Sequence, residues 1–345
     1  NSQQLCEVFK KGAEERGNMI FKCRNCGGNV VYDPEQGKMH CPYCDGVDTQ
    51  EQEAGDGQPV CKNCGAPLEA GEFGSAVKCA YCGQYTILDE RIGDAYRPRF
   101  ILPFRIGKKE ASECLQREFK NRIFAPDSFL SDATLARMEG SYVPFWLYDM
   151  SADCHYDGTG TRVRVWRSGD TEYTETSWFH ILRDMKVQFE KIPADASGQL
   201  PDEIMDLMEP YEYGGLQDFA PEYMSGFLGE VYNGPSEEYA PRAQEKASAD
   251  AKSLLMQTVS GYSTVVPNHE TVDIRQQDAR YALLPVWCYR YRYRDRDYDC
   301  FVNGQTGKMA GELPLSIPCM LLYGGTFFGC LTAVLMLIWA CISLL

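Results

Sequence analysis

The cysteines constrain this chain before anything else does. Between residues 23 and 82 they fall as Cys23-x-x-Cys26, fourteen residues, Cys41-x-x-Cys44, and again as Cys61-x-x-Cys64, fourteen residues, Cys79-x-x-Cys82. One unit is written twice. A CxxC turn presents two thiolates on one side of a tight loop, and a short β excursion brings two such turns together as a tetrahedral cage of four sulfurs. The spacing predicts tandem four-cysteine zinc ribbons, with one Zn2+ on Cys23, Cys26, Cys41 and Cys44 and a second on Cys61, Cys64, Cys79 and Cys82. A glycine after the second Cys of a turn lets the backbone go left-handed and aim its amides at sulfur. Gly27, Gly65 and Gly83 take that place, and Asp45 takes it after Cys44, where a short polar side chain tolerates the same conformation. Disulfides or a redox pair use the same residue type, but a redox CxxC belongs to a thioredoxin-like βαβ pattern, which this stretch lacks.

Length and charge bound the rest. A chain of 345 residues with 44% apolar side chains suggests two or three domains with a real core. Its net charge is −15, and each cation held by four thiolates adds about −2 more, so nucleic acid is repelled on average. Of sixteen cysteines, eight are assigned as ligands; Cys6, Cys114, Cys154, Cys288 and Cys300 are scattered and Cys319, Cys330 and Cys341 lie in an apolar tail. No pairing is visible among them, which points to a reducing compartment.

Residues 1–18 show no apolar signal sequence and are expected to be a short leader. The ribbons occupy 19–90. Between them Gly46–Pro59 is acidic and Gly-rich, the composition of a flexible connector that lets the ribbons move relative to each other. From 91 to 312 the pattern suggests an α+β domain with antiparallel strands. Arg99–Phe104 is a short buried strand, and helices are expected over 108–124, 131–138, 200–208, 221–232 and 240–259. A hairpin is expected from Thr161–Trp166, a turn at 167–170 and Thr171–Trp178. The phrase Pro144-Phe145-Trp146-Leu147-Tyr148 returns as Pro285-Val286-Trp287-Cys288-Tyr289, which suggests a second, weaker internal duplication.

Residues 313–345 carry no charged side chain, and Ile317–Leu345 is long enough to cross a hydrocarbon core of about 30 Å at about 1.5 Å per residue. A single C-terminal transmembrane helix is expected, with the soluble part in the cytoplasm, because no export signal precedes it and eight thiolates need reducing surroundings. Gly325-x-x-x-Gly329 would let another helix approach closely.

Three patterns point less far than they first suggest. Gly304-Gln305-Thr306-Gly307-Lys308 lacks the spacing and the following Ser or Thr of a phosphate loop, so Asn303–Gly307 is expected to be a turn between strands. Tyr289–Arg294 alternates aromatic with cationic, as a single-strand binding platform does. A period of two also describes a strand with Tyr on one face and Arg on the other, neutralised by Asp295, Asp297 and Asp299. His40, His155, His180 and His269 show no metal-ligand or catalytic spacing, and no active site can be named.

Several phrases carry a resemblance: ILPF (101–104), FAPDSFL (124–130), GSYVPFWLYD (140–149), WRSGDTEYTET (166–176), FEKIPADAS (189–197), YALLPVWCY (281–289) and FVNGQTGKMAGELP (301–314). Over about residues 19–312 the chain resembles bacterial membrane-anchored proteins described as TFIIB-type zinc ribbon-containing. Some relatives carry a label from the replication-restart helicase, which shares a zinc-binding module, but no helicase motif is present here. The resemblance implies a non-enzymatic membrane adaptor of the envelope-stress setting, since similar proteins are encoded near flotillin-like and phage-shock-type proteins and are thought to bring a flotillin-like partner to the membrane. The alternative is a membrane-tethered nucleic-acid binder or transcription regulator. Residues 19–90 bear on the choice, with five Lys or Arg against eleven Asp or Glu, which favours the adaptor.

Overall fold

The structure, a computed structural model, describes residues 18–53, 60–93, 96–120, 122 and 124–343. The expected leader lies outside them, apart from Asn18. Four strands, β1 (Asn18–Cys23), β2 (Val31–Asp33), β3 (Lys38–His40) and β4 (Thr49–Glu53), carry the first four-Cys unit, and β5 (Gly74–Lys78) and β6 (Tyr85–Leu88) the second. β7 (Phe100–Ile101) leads to helix α1 (Lys108–Phe119), then to the long strands β8 (Glu139–Ser168) and β9 (Thr171–Asp195). β10 (Gln217–Asp218) and β11 (Leu228–Glu230) precede helix α2 (Ser236–Thr258), after which come β12 (Thr264–Tyr293), β13 (Arg296–Asn303), β14 (Met309–Gly311) and helix α3 (Ile317–Ser343).

Twelve strands form one sheet in the order β10-β7-β12-β8-β11-β5-β6-β1-β4, with β9 beside β8 and the β13–β14 ribbon beside β12. The α+β expectation holds. The mobile connector does not, because Thr49–Glu53 pairs antiparallel with β1 from Cys23↔Thr49 to Met19↔Glu53. Its sequence TQEQE has no apolar alternation, but an edge strand needs only backbone groups to pair. Residues 54–59 lie outside the described residues. Nor are the two units independent. β1 pairs β6 at Asn18↔Leu88 and Met19↔Ile87, Lys22 Nζ donates to Asn63 Oδ1 at 3.1 Å, and β5 pairs β11. The division near residue 90 therefore separates two stretches of sequence but not two sheets.

Several helices are shorter than expected. The 108–124 and 131–138 segments reduce to α1 and Asp132–Leu135, and 200–208 to Asp202–Leu207. Pro221–Tyr232 is a 3-10 turn, Pro221–Met224, followed by β11. Gly226 adopts φ +93°, which breaks the helical path, and the backbone beyond it is claimed by β5 and β8. The hairpin is longer than expected. It turns at Gly169, with φ +64°, and its 30- and 25-residue strands stay paired from Ser168↔Thr171 to Phe145↔Asp195. At about 3.3 Å per residue, β8 represents roughly 100 Å of strand. One face of this arm carries Ala152, Cys154 and Tyr156, buried under Ala251 and Leu255 of α2 and Val259 just after it. The Ala240-Ala243-Ala247-Ala251 stripe of α2 is buried throughout, and such small side chains let a helix approach the sheet closely.

The internal duplication is plain in the pairing register. In the β8–β12 ladder Val143 faces Leu284; on either side Pro144 faces Leu283 while Pro285 faces Tyr142, and Trp146 faces Tyr281 while Trp287 faces Gly140. Contact i to j is repeated as j to i, as about a two-fold axis. β7 lies parallel to β12 at Phe100↔Ala282 and Ile101↔Leu283, and β11 lies parallel to β8 at Leu228↔Ser141 and Gly229↔Tyr142. Each repeat is thus a short strand, a helix and a hairpin that starts from a long strand, 25 residues returning in the first repeat and eight in the second, with the short strand lent to the other repeat. The shared Pro-x-Trp-x-Tyr phrase has a physical reason. Trp287 Nε1 donates to Ile106 O (2.9 Å) just before α1, and Trp146 Nε1 donates to Gly234 O (3.3 Å) just before α2. Tyr289 and Tyr148 donate to Phe129 O and Ser236 O. The prolines keep free carbonyls, which accept from Ala196 N and Gly304 N, each at 2.9 Å.

Candidate metal centres

The four CxxC turns are built alike. The residue after the second Cys donates its N–H back to the carbonyl of the first: Gly27 to Cys23 (2.8 Å), Asp45 to Cys41 (3.0 Å), Gly65 to Cys61 (2.7 Å) and Gly83 to Cys79 (2.9 Å). These four residues have φ of 72°, 57°, 75° and 74°, so Asp45 adopts the left-handed turn that glycine adopts elsewhere. The first Cys of each turn is buried and the second exposed, which places each cage at the rim of the core.

In the first unit Cys23 Sγ and Cys44 Sγ are 3.5 Å apart and Cys26 Sγ and Cys41 Sγ 3.6 Å; in the second Cys61 and Cys82 are 3.5 Å apart and Cys64 and Cys79 3.7 Å. Within each set all four sulfurs lie within 4.8 Å of one another. A tetrahedral cation with bonds of about 2.3 Å to sulfur needs edges of about 3.8 Å. Both sets are therefore shaped for such an ion. Two thiols of the first unit, Cys41 and Cys44, are pushed in opposite directions. Burial raises the Cys41 thiol, but the backbone N–H groups of Tyr43 and Cys44 and the sulfurs of Cys26 and Cys44 together outweigh it and bring it down to about 7. At Cys44 the N–H of Gly46 acts downward, and the sulfurs of Cys26 and Cys23 push the thiol up to about 12. A bound cation displaces these protons, so loading is coupled to pH.

Bacillus subtilis (strain 168) has a relative, described as "Uncharacterized protein YdjG", that is 38% identical over 307 residues, covering 86% of this chain and 90% of the relative. The chain belongs to the YdjG family. No protein-family model and no solved structure matches it.

In this family member the tyrosine inside the second turn of each unit, Tyr43 and Tyr81, is 71% and 76% exposed. The duplication in sequence thus displays two equivalent rings on two rigid loops. Of the Tyr289–Arg294 strip, Tyr289–Tyr293 is strand with Tyr289 and Tyr291 buried and Arg294 opens the turn, while Arg290 pairs with Asp299 (2.7 Å) and Arg292 approaches Asp297 (4.0 Å) across the ladder. Asn303–Gly307 is a turn, with the Asn303 carboxamide oxygen accepting from Gln305 N and Thr306 N.

Three of the four histidines, scattered in sequence, converge on the uncovered face of the long arm. His180 Nε2 lies 3.1 Å from Asp157, His155 Nδ1 lies 2.7 Å from Asp184, and the His155 and His269 rings are 6.1 Å apart. Asn268 and His180 hold the Asp157 carboxyl below its usual range. The convergence is invisible without the register that sets β12 and β9 beside β8. Its donors are not drawn together as the sulfurs are; among the described residues only the two four-Cys sets are.

At the other end, α3 has a 20-residue stretch, Ile317–Met336, with mean hydropathy 1.8 and no part buried against the protein. It is long and apolar enough to cross a membrane.

Proposed function

We propose that the protein is a non-enzymatic, membrane-anchored adaptor of the TFIIB-type zinc ribbon-containing kind. In this reading α3 anchors it, the soluble part lies in the cytoplasm, and each four-Cys unit holds one Zn2+. Sulfur-only tetrahedral cages favour zinc over harder cations. The observation that carries the reading is the pair of exposed knuckle rings, Tyr43 and Tyr81, fixed by the cages and joined through one continuous sheet to an exposed apolar helix. Rigid aromatic side chains with most of their area in water suit a protein interface. A flotillin-like membrane protein is the partner class that the resemblance supplies. The cross-strand Arg–Asp pairs of β12 and β13 and the net charge of −15 weigh against nucleic acid.

The test is affinity capture of a flotillin-like partner from detergent-solubilised membranes with wild-type protein and with Tyr43→Ala/Tyr81→Ala. Capture is expected to fall at least tenfold in the variant, with two zinc ions per chain and membrane association unchanged. Undiminished capture would remove this surface from the mechanism, and sub-micromolar binding of single-stranded DNA at physiological salt would favour the tethered nucleic-acid reading.

A further inference from the structure

Where α3 leaves the sheet domain, its first turns do not stand free. Ser316 N donates to Phe124 O at 2.8 Å, and the Phe124 and Tyr323 rings meet edge to face at 6.1 Å. Tyr323 lies six residues into the apolar helix, about 9 Å along its axis. If Ile317 marks the entry of α3 into a bilayer, the Phe124 carbonyl that Ser316 binds sits at the water–lipid boundary, with Arg122 at headgroup level.

That boundary has a cavity. A cleft of about 390 Å³ opens between α1 and the β13–β14 turn, lined by Arg117, Glu118, Arg122, Lys308 and the apolar Phe119, Met309 and Leu313. Arg117 and Arg122 are exposed at its mouth and make only weak bonds: Arg117 Nη2 to Cys114 Sγ at 3.4 Å, and Arg122 to Glu118 at 3.9 Å. Lys308 donates to the carbonyl of Glu209. In a chain of net charge −15, this segment is locally cationic, with Lys108, Lys109, Arg117, Lys120 and Arg122 against Glu110, Glu113 and Glu118. Charge, cavity and depth coincide at one place.

We propose that this cleft binds the phosphate headgroup of an anionic phospholipid in the leaflet that α3 enters. Arg117 and Arg122 pair with the phosphate, as guanidinium groups do in fork geometry. Phe119, Met309 and Leu313 offer apolar contact to the glycerol and the first methylenes. The proposal rests on α3 being a membrane anchor. It adds that the bilayer orients the soluble domain through a second contact, so that the domain does not swivel on one helix.

The test uses full-length protein in nanodiscs of phosphatidylcholine with a minority of phosphatidylglycerol, followed by native mass spectrometry of the lipids that remain bound. Wild type is expected to retain phosphatidylglycerol well above its bulk fraction. At about fivefold per cation near an anionic surface, Arg117→Gln/Arg122→Gln should lower that preference on the order of 25-fold. Lys252→Gln, on α2 and outside both this cleft and the cationic segment, should leave it unchanged. Retention at the bulk ratio by wild type, equal retention by the double variant, or an equal loss in Lys252→Gln would each overturn the site. Displacement of the lipid by millimolar inorganic phosphate would show a soluble anion site instead. Alkaline extraction of the same membranes separates the two readings: protein that washes out refutes the anchor, whereas protein that stays but selects no lipid refutes only the cleft.

Discussion

Asp195 shows how much one side chain decides. It closes the first repeat, its Oδ1 accepts from Ser197 N at 3.1 Å, and its Oδ2 is buried without a partner. Burial raises its carboxyl to about 8; the Ser197 N–H acts the other way and Asp202 adds to the rise. A carboxyl that keeps its proton longer when folded favours folding most below its unfolded value near 4, and that stability is lost as pH rises toward 8. Urea midpoints at about pH 6 and pH 8 should therefore differ less for Asp195→Asn than for wild type. Nothing in the segment FEKIPADAS announces this. The ligands are the opposite case: the four sulfurs of each unit are readable because a CxxC turn is a local structure, set by its own backbone bonds and by one residue at positive φ. His155, His180 and His269 are unreadable for the complementary reason, since only the register of three long strands makes them neighbours.

At the scale of elements, the Pro-x-Trp-x-Tyr phrase is visible in sequence, but what it does is not. Its Trp and Tyr are the struts by which each repeat holds the start of the other's helix or the turn that follows it. Trp287→Phe leaves the Ile106 carbonyl without its donor in the core. It is expected to cost about 1–3 kcal/mol in chemical denaturation, with the fold and both metals retained. Elements were legible where periodicity alone governs them, as in α2, expected over 240–259 and found over Ser236–Thr258. They were not legible where a neighbour overrides local preference. β4 is a strand because β1 has a free edge, and β11 is a strand because β5 and β8 leave a slot that Gly226 lets the chain enter.

Across the whole molecule, the four-Cys units are structural parts of the sheet. β5 of the second unit lies between β11 and β6, whereas the first unit lies at the end of the strand order. Cys61→Ser and Cys23→Ser should each leave one metal per chain by elemental analysis. Cys61→Ser is expected to lower the melting temperature more, because it loosens the strand that connects the first unit to the long β8–β12 pair. Chelation of both ions should lower it further than either substitution.

The exchange of short strands between repeats sets a limit on how this chain can be taken apart. Two separate copies arranged in this way would form a C2 dimer, and their association would weaken on dilution. Within one chain the same contact has a constant local concentration. Neither half has its full set of hydrogen-bond partners without the other, so the repeats are legible as two in sequence yet form a single cooperative unit, and a cut between β9 and β11 would yield complementing fragments rather than two domains.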